Sequence, residues 1–225
     1  MALRLGITPM GGSLHDPLAS LPLNDTPKAI ETSVHQRDCN TCAECGFRSG
    51  KYMNVHAPGR GPHRTSAYRT LCNACFDVVC LDEAVKMRSV SFSWIPEIEQ
   101  EELNRLMPNL YVARIGNHGP LTKRILDIIF EERRELAREK IPYTEVGDLV
   151  KAMEEGADDA QLHRFFNEGL RILPLDRRII KEGKMEFNQF PQILAYWRSR
   201  SGPLNGSADS FAVIAQDWLR RLSSN

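Results

Sequence analysis

The residues best suited to chemistry in this chain are its cysteines. Cys39, Cys42 and Cys45 stand three apart in CNTCAECGF, and Cys72 and Cys75 close CNAC after a 26-residue interval. Two Cys-x-x-Cys pairs at such a separation can bring four thiolates to one tetrahedral zinc. By spacing alone, either neighbouring pair of the first cluster could ligate. Gly46 decides for Cys42 and Cys45: a glycine directly after the second cysteine permits the left-handed turn of a zinc knuckle, whereas Cys42 is followed by Ala43. The expected ligands are therefore Cys42, Cys45, Cys72 and Cys75, around one structural Zn2+ per chain. Four thiolates leave no open coordination position, so such an ion would not act as a Lewis acid. Cys39 and Cys80 fall outside the set and read as small buried hydrophobes. Disulfides are the weaker reading. Cys-x-x-Cys bridges are strained, and the N-terminus MALRLGITPMGGSLHD has no long apolar core to act as an export signal.

These ligands need elements to carry them. YMNVH (52–56) is strand-like, APGRGPHRTS (57–66) is a turn-rich tip, and AYRTL (67–71) returns toward the second pair. ACFDVVCLDEAV can then begin a helix. A knuckle, a hairpin and a helix carrying the second pair resemble a treble clef, the metal core of ββα-metal (HNH) nucleases and of many binding modules. Upstream, LRLGIT (3–8) could form a short strand, followed by a Gly-, Pro- and Ser-rich irregular loop. Downstream, RSVSFSWI (88–95) alternates Val90, Phe92 and Trp94 with Ser89, Ser91 and Ser93, the pattern of a strand with one buried face.

Beyond Pro96 the pattern turns helical. Leu103, Leu106, Met107, Leu110 and Ala113 form one stripe, and Leu121, Ile125, Ile128, Ile129 and Leu136 form another. The charged last turns of that second helix read as a solvated face. Thr144 is placed to cap a third helix through Val146, Leu149, Val150 and Met153, with Gly156 at its end. DDAQLHRFFNEGLRIL predicts a fourth helix, on Leu162, Phe165, Phe166 and Leu170, and PQILAYWRS a short fifth. SGPLNGS (201–207) reads as a linker before a last amphipathic helix on Phe211, Ile214, Trp218 and Leu222. The expected class is thus α+β: an HNH-like treble-clef zinc module with a four-cysteine site, packed with a C-terminal α-helical region. The expected segments are 1–33 (strand and irregular loop), 34–96 (zinc module), 97–200 (helical region) and 201–225 (linker and terminal helix).

Composition narrows the function. With 29 basic and 29 acidic residues the net charge is zero, which removes the general argument for nucleic-acid binding. No apolar run is long enough to span a bilayer. A nuclease site would need a His general base on the hairpin and further His or Asn groups around a catalytic divalent metal. His56 lies where that base would be, with His63 and Asn73 nearby. No second His stands beside His56, and Phe76 and Asp77 follow Cys75 where the nuclease helix usually offers a His. The constellation is incomplete, so His56 reads as a vestigial catalytic candidate and the chain as non-enzymatic. The alternative is an HNH-like endonuclease or a DNA-binding zinc protein. A redox protein using Cys39 or Cys80 is a third reading.

Four segments, RDCNTCAECGF, RTLCNACF, SFSWIPEIEQEELNRLM and LHRFFNEGLRILP, together resemble the IcmJ (DotN) family of type IVB (Dot/Icm) secretion systems. PEIEQEELN (96–104) and RILP (171–174) are more specific than the cysteine pairs. The resemblance covers roughly residues 34–115 and 160–198, while 201–225 stands outside it. It implies an HNH-like zinc core that has lost catalysis, with Cys42, Cys45, Cys72 and Cys75 as ligands. It also implies an adaptor subunit of a type IV coupling complex, cytoplasmic and peripheral to the inner membrane without inserting into it. The implied partners are the C-terminal extension of a DotL-like coupling ATPase and DotM-like and IcmS–IcmW-like components, in recruitment of substrates for secretion or conjugation. Nucleic acid is not an expected partner.

Overall fold

A computed structural model of the chain describes residues 27–57, 65–116, 118–206 and 208–223. The N-terminal strand expected at 3–8, the loop after it, and the basic tip RGPHR with His63 lie outside the described residues. The chain divides into two compact units, Met1–Glu83 and Ala84–Asn225.

The first unit is built on a hairpin between two helices. α1 (Pro27–Arg37) precedes β1 (Met53–His56), which pairs antiparallel with β2 (Arg69–Cys72); α2 (Asn73–Val79) starts directly after β2, and α3 (Leu81–Lys86) follows. Sequence periodicity did not mark α1, because only Ile30 and Val34 carry its buried face. Those two pack with Val55, Ala57 and Tyr68. Side chains alternate across a hairpin. Val55 and Thr70 therefore share the α1 side, while Asn54, His56 and Leu71 share the other side with α2.

The second unit contains β3 (Val90–Trp94), α4 (Gln100–Arg114), α5 (Gly119–Asp127), a π-helical turn (Ile128–Glu132), α6 (Arg133–Lys140), α7 (Val146–Glu154), α8 (Asp159–Glu168), β4 (Leu170–Pro174), β5 (Ile179–Glu182), β6 (Met185–Asn188), α9 (Phe190–Arg198) and α10 (Ala208–Leu222). β3 pairs antiparallel with β4, placing Phe92 opposite Ile172. Within the segment 88–95, β3 thus lies in the second compact unit, which begins at Ala84.

Three further expectations change. β3 is not one-sided, since Ser91 and Ser93 are as buried as Phe92 and Trp94. Small hydroxyls fit under a close-packed helix; Ser93 donates to the Ile129 carbonyl at 3.2 Å. The π turn admits an extra residue, which shifts the buried stripe. Ala137 and Arg133, not Leu136, continue from Ile129. α7 is capped by Glu145, not Thr144, through a reciprocal capping box with Asp148.

The helix expected to run through Leu173 stops at Glu168. Gly169, at φ +129°, reverses the chain into β4, and a Cβ there would stand 2.8 Å from the Pro96 Cβ. RILP is therefore strand, buried at every position. Phe165 and Phe166 are only half-buried. The β5–β6 hairpin was not foreseen in the sequence.

β4 has a free edge, and α4 covers it. The Gln100 amide donates to the Ile172 carbonyl and accepts from the Ile172 N–H, both at 2.8 Å. Tyr111 donates to the Pro174 carbonyl at 2.7 Å. Burial pushes the Tyr111 phenol well above its ordinary value, so it remains a donor. Arg171, also buried, donates to the carbonyls of Ile98, Phe166 and Leu170. Among the described residues no helix is long and apolar enough to cross a membrane.

Candidate metal centre

Cys42 and Cys45 sit on a tight turn. The Cys42 N–H donates to the Phe47 carbonyl at 2.8 Å, the Gly46 N–H donates to the Cys42 carbonyl at 3.0 Å, and Thr41 bridges to Arg48. Gly46 has φ +74°, the left-handed conformation that the sequence reading required of it. Cys72 ends β2 and caps α2, and its sulfur accepts from the Cys75 N–H at 3.4 Å. Cys75 lies in the first turn of α2.

Two links hold the turn against β2. The Ala43 N–H donates to the Thr70 carbonyl at 2.9 Å, and Glu44, almost wholly buried, forms an ion pair with Arg69. β2 is in turn fixed from α1's end: the Thr70 N–H donates to Asp38 at 2.8 Å, and the His35 ring meets the Thr70 hydroxyl at 3.1 Å. The Arg37 guanidinium, hydrogen-bonded to Asp38, holds that carboxyl below its ordinary range, and the Thr70 N–H adds to the effect. Sequence reasoning passed over Asp38, Glu44 and Arg69. As isolated charges beside cysteines they carry no periodic signal.

The four sulfurs of Cys42, Cys45, Cys72 and Cys75 all lie within 4.8 Å of one another, and all four residues are buried. Cys45 and Cys72 approach to 3.6 Å. A tetrahedral site with zinc–sulfur bonds of about 2.3 Å has sulfur–sulfur edges of about 3.8 Å. The donor set, its burial and its spacing therefore suit a tetrahedral, thiophilic ion. Charge points the same way. The neighbouring thiols Cys45, Cys72 and Cys75 hold Cys42 far below the usual thiol range, whereas Cys72 and Cys75 are pushed far above it, mainly by hydrogen bonds within the cluster.

The remaining candidates lie elsewhere. Cys39 is exposed, with φ +52°, and is not the buried hydrophobe expected of it. Cys80 is buried and faces His56, its sulfur 3.6 Å from the ring Nδ1. Phe76 meets the same ring edge-on, with centroids 6.3 Å apart. His56 thus ends β1 with a thiol and a phenyl ring against it. Asn54, on the same face, donates to the Asn73 side chain at 2.9 Å. The four-cysteine group is the one cluster of three or more metal-ligating residues found among the described residues.

No protein-family model matches the chain, and no curated protein matches it.

Proposed function

We propose that this chain is a zinc-stabilised adaptor without catalytic activity, built on an HNH-like treble clef and serving the coupling complex of a type IVB secretion or related conjugation system. The observation that carries the reading is the division of labour between the four cysteines and His56. Cys42, Cys45, Cys72 and Cys75 would hold one Zn2+ with every coordination position filled by sulfur, a closed set suited to structure and not to turnover. When bound, the ion would cross-link the turn to the β2–α2 junction.

The hairpin histidine, the residue a nuclease of this architecture would use as base, faces the Cys80 thiol and the Phe76 ring. The order of turn, hairpin and helix supports the treble-clef reading. The resemblance of RDCNTCAECGF, PEIEQEELN and RILP to the IcmJ (DotN) family supports the assignment to secretion. Its expected partners are the C-terminal extension of a DotL-like coupling ATPase and the DotM-like and IcmS–IcmW-like subunits, at the cytoplasmic face of the inner membrane.

Co-purification of the zinc-loaded chain with the C-terminal extension of a DotL-like coupling ATPase from the same organism tests the proposal. A stable complex is expected; no association between two well-folded partners would sink it. The ββα order and the Asn54–Asn73 contact favour a second reading, an HNH-like endonuclease or DNA-binding zinc protein. A metal-dependent nicking assay on wild type and His56→Ala separates the two, because only an active nuclease would lose cleavage with the histidine.

A further inference from the structure

The last helix of the second unit is attached in a way that differs from its neighbours. α10 buries Phe211, Ala215, Trp218 and Leu222 on one stripe and packs on α5 and α4. The Phe211 ring lies 5.6 Å from the His118 ring at the start of α5. Polar contacts hold its other end. Arg221 pairs with Glu102 at 2.9 Å and donates to the Glu97 carbonyl, and it lies 4.9 Å from the Trp218 ring. Arg133 donates to the Leu222 carbonyl at 2.8 Å and pairs with Glu97 at 2.7 Å.

We infer that α10 is a displaceable strap, which undocks from α4 and α5 as one unit while the rest of the second unit keeps its structure. Three features make the opening cheap in charge and confined in space. Arg133 retains Glu97 when the Leu222 carbonyl leaves, so no buried charge loses its counter-ion. Arg221 and Glu102 are each about one-third exposed already, 34% and 33%, and rehydrate readily on separation. The chain before α10 is anchored at Leu204. The Leu204 N–H donates to the Trp197 carbonyl at 3.1 Å and the Leu204 side chain is buried, whereas two residues on, Gly206 at φ +75° has open space where a Cβ would be.

A 15-residue helix is marginal on its own in water, so the docked face and the terminal latch decide whether α10 stays. Opening uncovers an apolar face of α4 and α5 with Glu97 and Glu102 at one end.

Amide hydrogen exchange on the full chain, resolved by element, tests this. α10 amides are expected to exchange at least tenfold faster than those of α4, yet slower than an unstructured peptide. Glu102→Gln removes one latch partner and should speed α10 about two- to fivefold, the effect of losing an ion pair that is one-third exposed, with α4 unchanged. Trp218→Ala should speed α10 more, again sparing α4. A single shared rate for α10 and α4 would overturn the inference, as would equal acceleration of both in either variant. It would also be overturned by α10 rates insensitive to Glu102→Gln, or as fast as free peptide in wild type.

Discussion

Cys75→Ser removes a sulfur that is wholly buried and stands within 4.8 Å of three others. The sizes involved make this a sharp test. A four-thiolate zinc site contributes roughly 10–16 kcal/mol of apparent binding energy to folding. A whole domain has a net stability of only about 5–15 kcal/mol. The apolar cluster under α1 is small, Ile30, Val34, Val55, Ala57 and Tyr68, and Phe47, Leu71, Val78, Val79 and Leu81 are the other large apolar side chains buried in this unit. Each large side chain there contributes about 1.5–3 kcal/mol, while each ordered residue costs about 1–2 kcal/mol of backbone entropy. The metal term is therefore the one that decides whether β1, β2 and α2 stay folded.

Serine cannot replace the lost ligand, because its hydroxyl is a hard oxygen with little affinity for zinc in a thiolate set. Elemental analysis should find one zinc per wild-type chain and none in Cys75→Ser. Hydrogen exchange should show Met53–His56 and Arg69–Val79 protected in wild type and unprotected in the variant, or after treatment of wild type with a strong chelator. Wild-type protection surviving either perturbation would refute the argument. The four cysteines would then be a packed thiol cluster that needs no ion.

Further perturbations follow from the same geometry. Cys39→Ser and Cys80→Ser should both keep stoichiometric zinc, since Cys39 is exposed and Cys80 faces His56; loss of zinc from either would revise the ligand set, as would zinc retained by Cys42→Ser. Gln100→Ala should destabilise by about 2–6 kcal/mol, because it strips partners from the buried N–H and carbonyl of Ile172 at about 1–3 kcal/mol each. The denaturation midpoint should fall with an unchanged slope, and a midpoint within error of wild type would show that water replaces the amide. Asp38→Asn should cost about 1 kcal/mol at neutral pH through its bond to the Thr70 N–H. Its carboxyl is held below the ordinary range by Arg37, so the wild-type advantage is present above the ordinary carboxylate pKa and disappears as pH falls through the lowered value. Urea titrations at several acidic pH values should show the two proteins converging, and a constant gap would assign the effect to packing.

The legible parts of this chain are those in which one residue type has one reason to be where it is. Gly46 needs a left-handed turn, and it selects Cys42 and Cys45 from three equally spaced cysteines. Leu103, Leu106, Met107 and Leu110 recur at helical spacing and are buried together. The parts that were misread involve residues whose role is set by a distant partner. Ser91 and Ser93 look solvated until α6 and the π turn cover them. The segment after Asp158 keeps a helical pattern past the point where Gly169 must turn against Pro96. Gln100 and Tyr111 are ordinary helix residues until β4 arrives with an unpaired edge, and β4 itself was hidden inside that helical pattern.

The missed β4 and its partners on α4 have a common cause: β3 and β4 are joined across 75 intervening residues, from Ile95 to Gly169, and local periodicity cannot register a pairing at that range. The same limit applies to the candidate metal centre. Cysteine spacing together with Gly46 picked out the four sulfurs that cluster, but not the Glu44–Arg69 pair or the Asp38–Thr70 bond that link the two halves. If those supports act as placed, Arg69→Ala should loosen zinc while leaving all four ligands intact. Competition against a chelator of known affinity would measure that loss directly. Undiminished affinity would mean that the ion alone assembles the site.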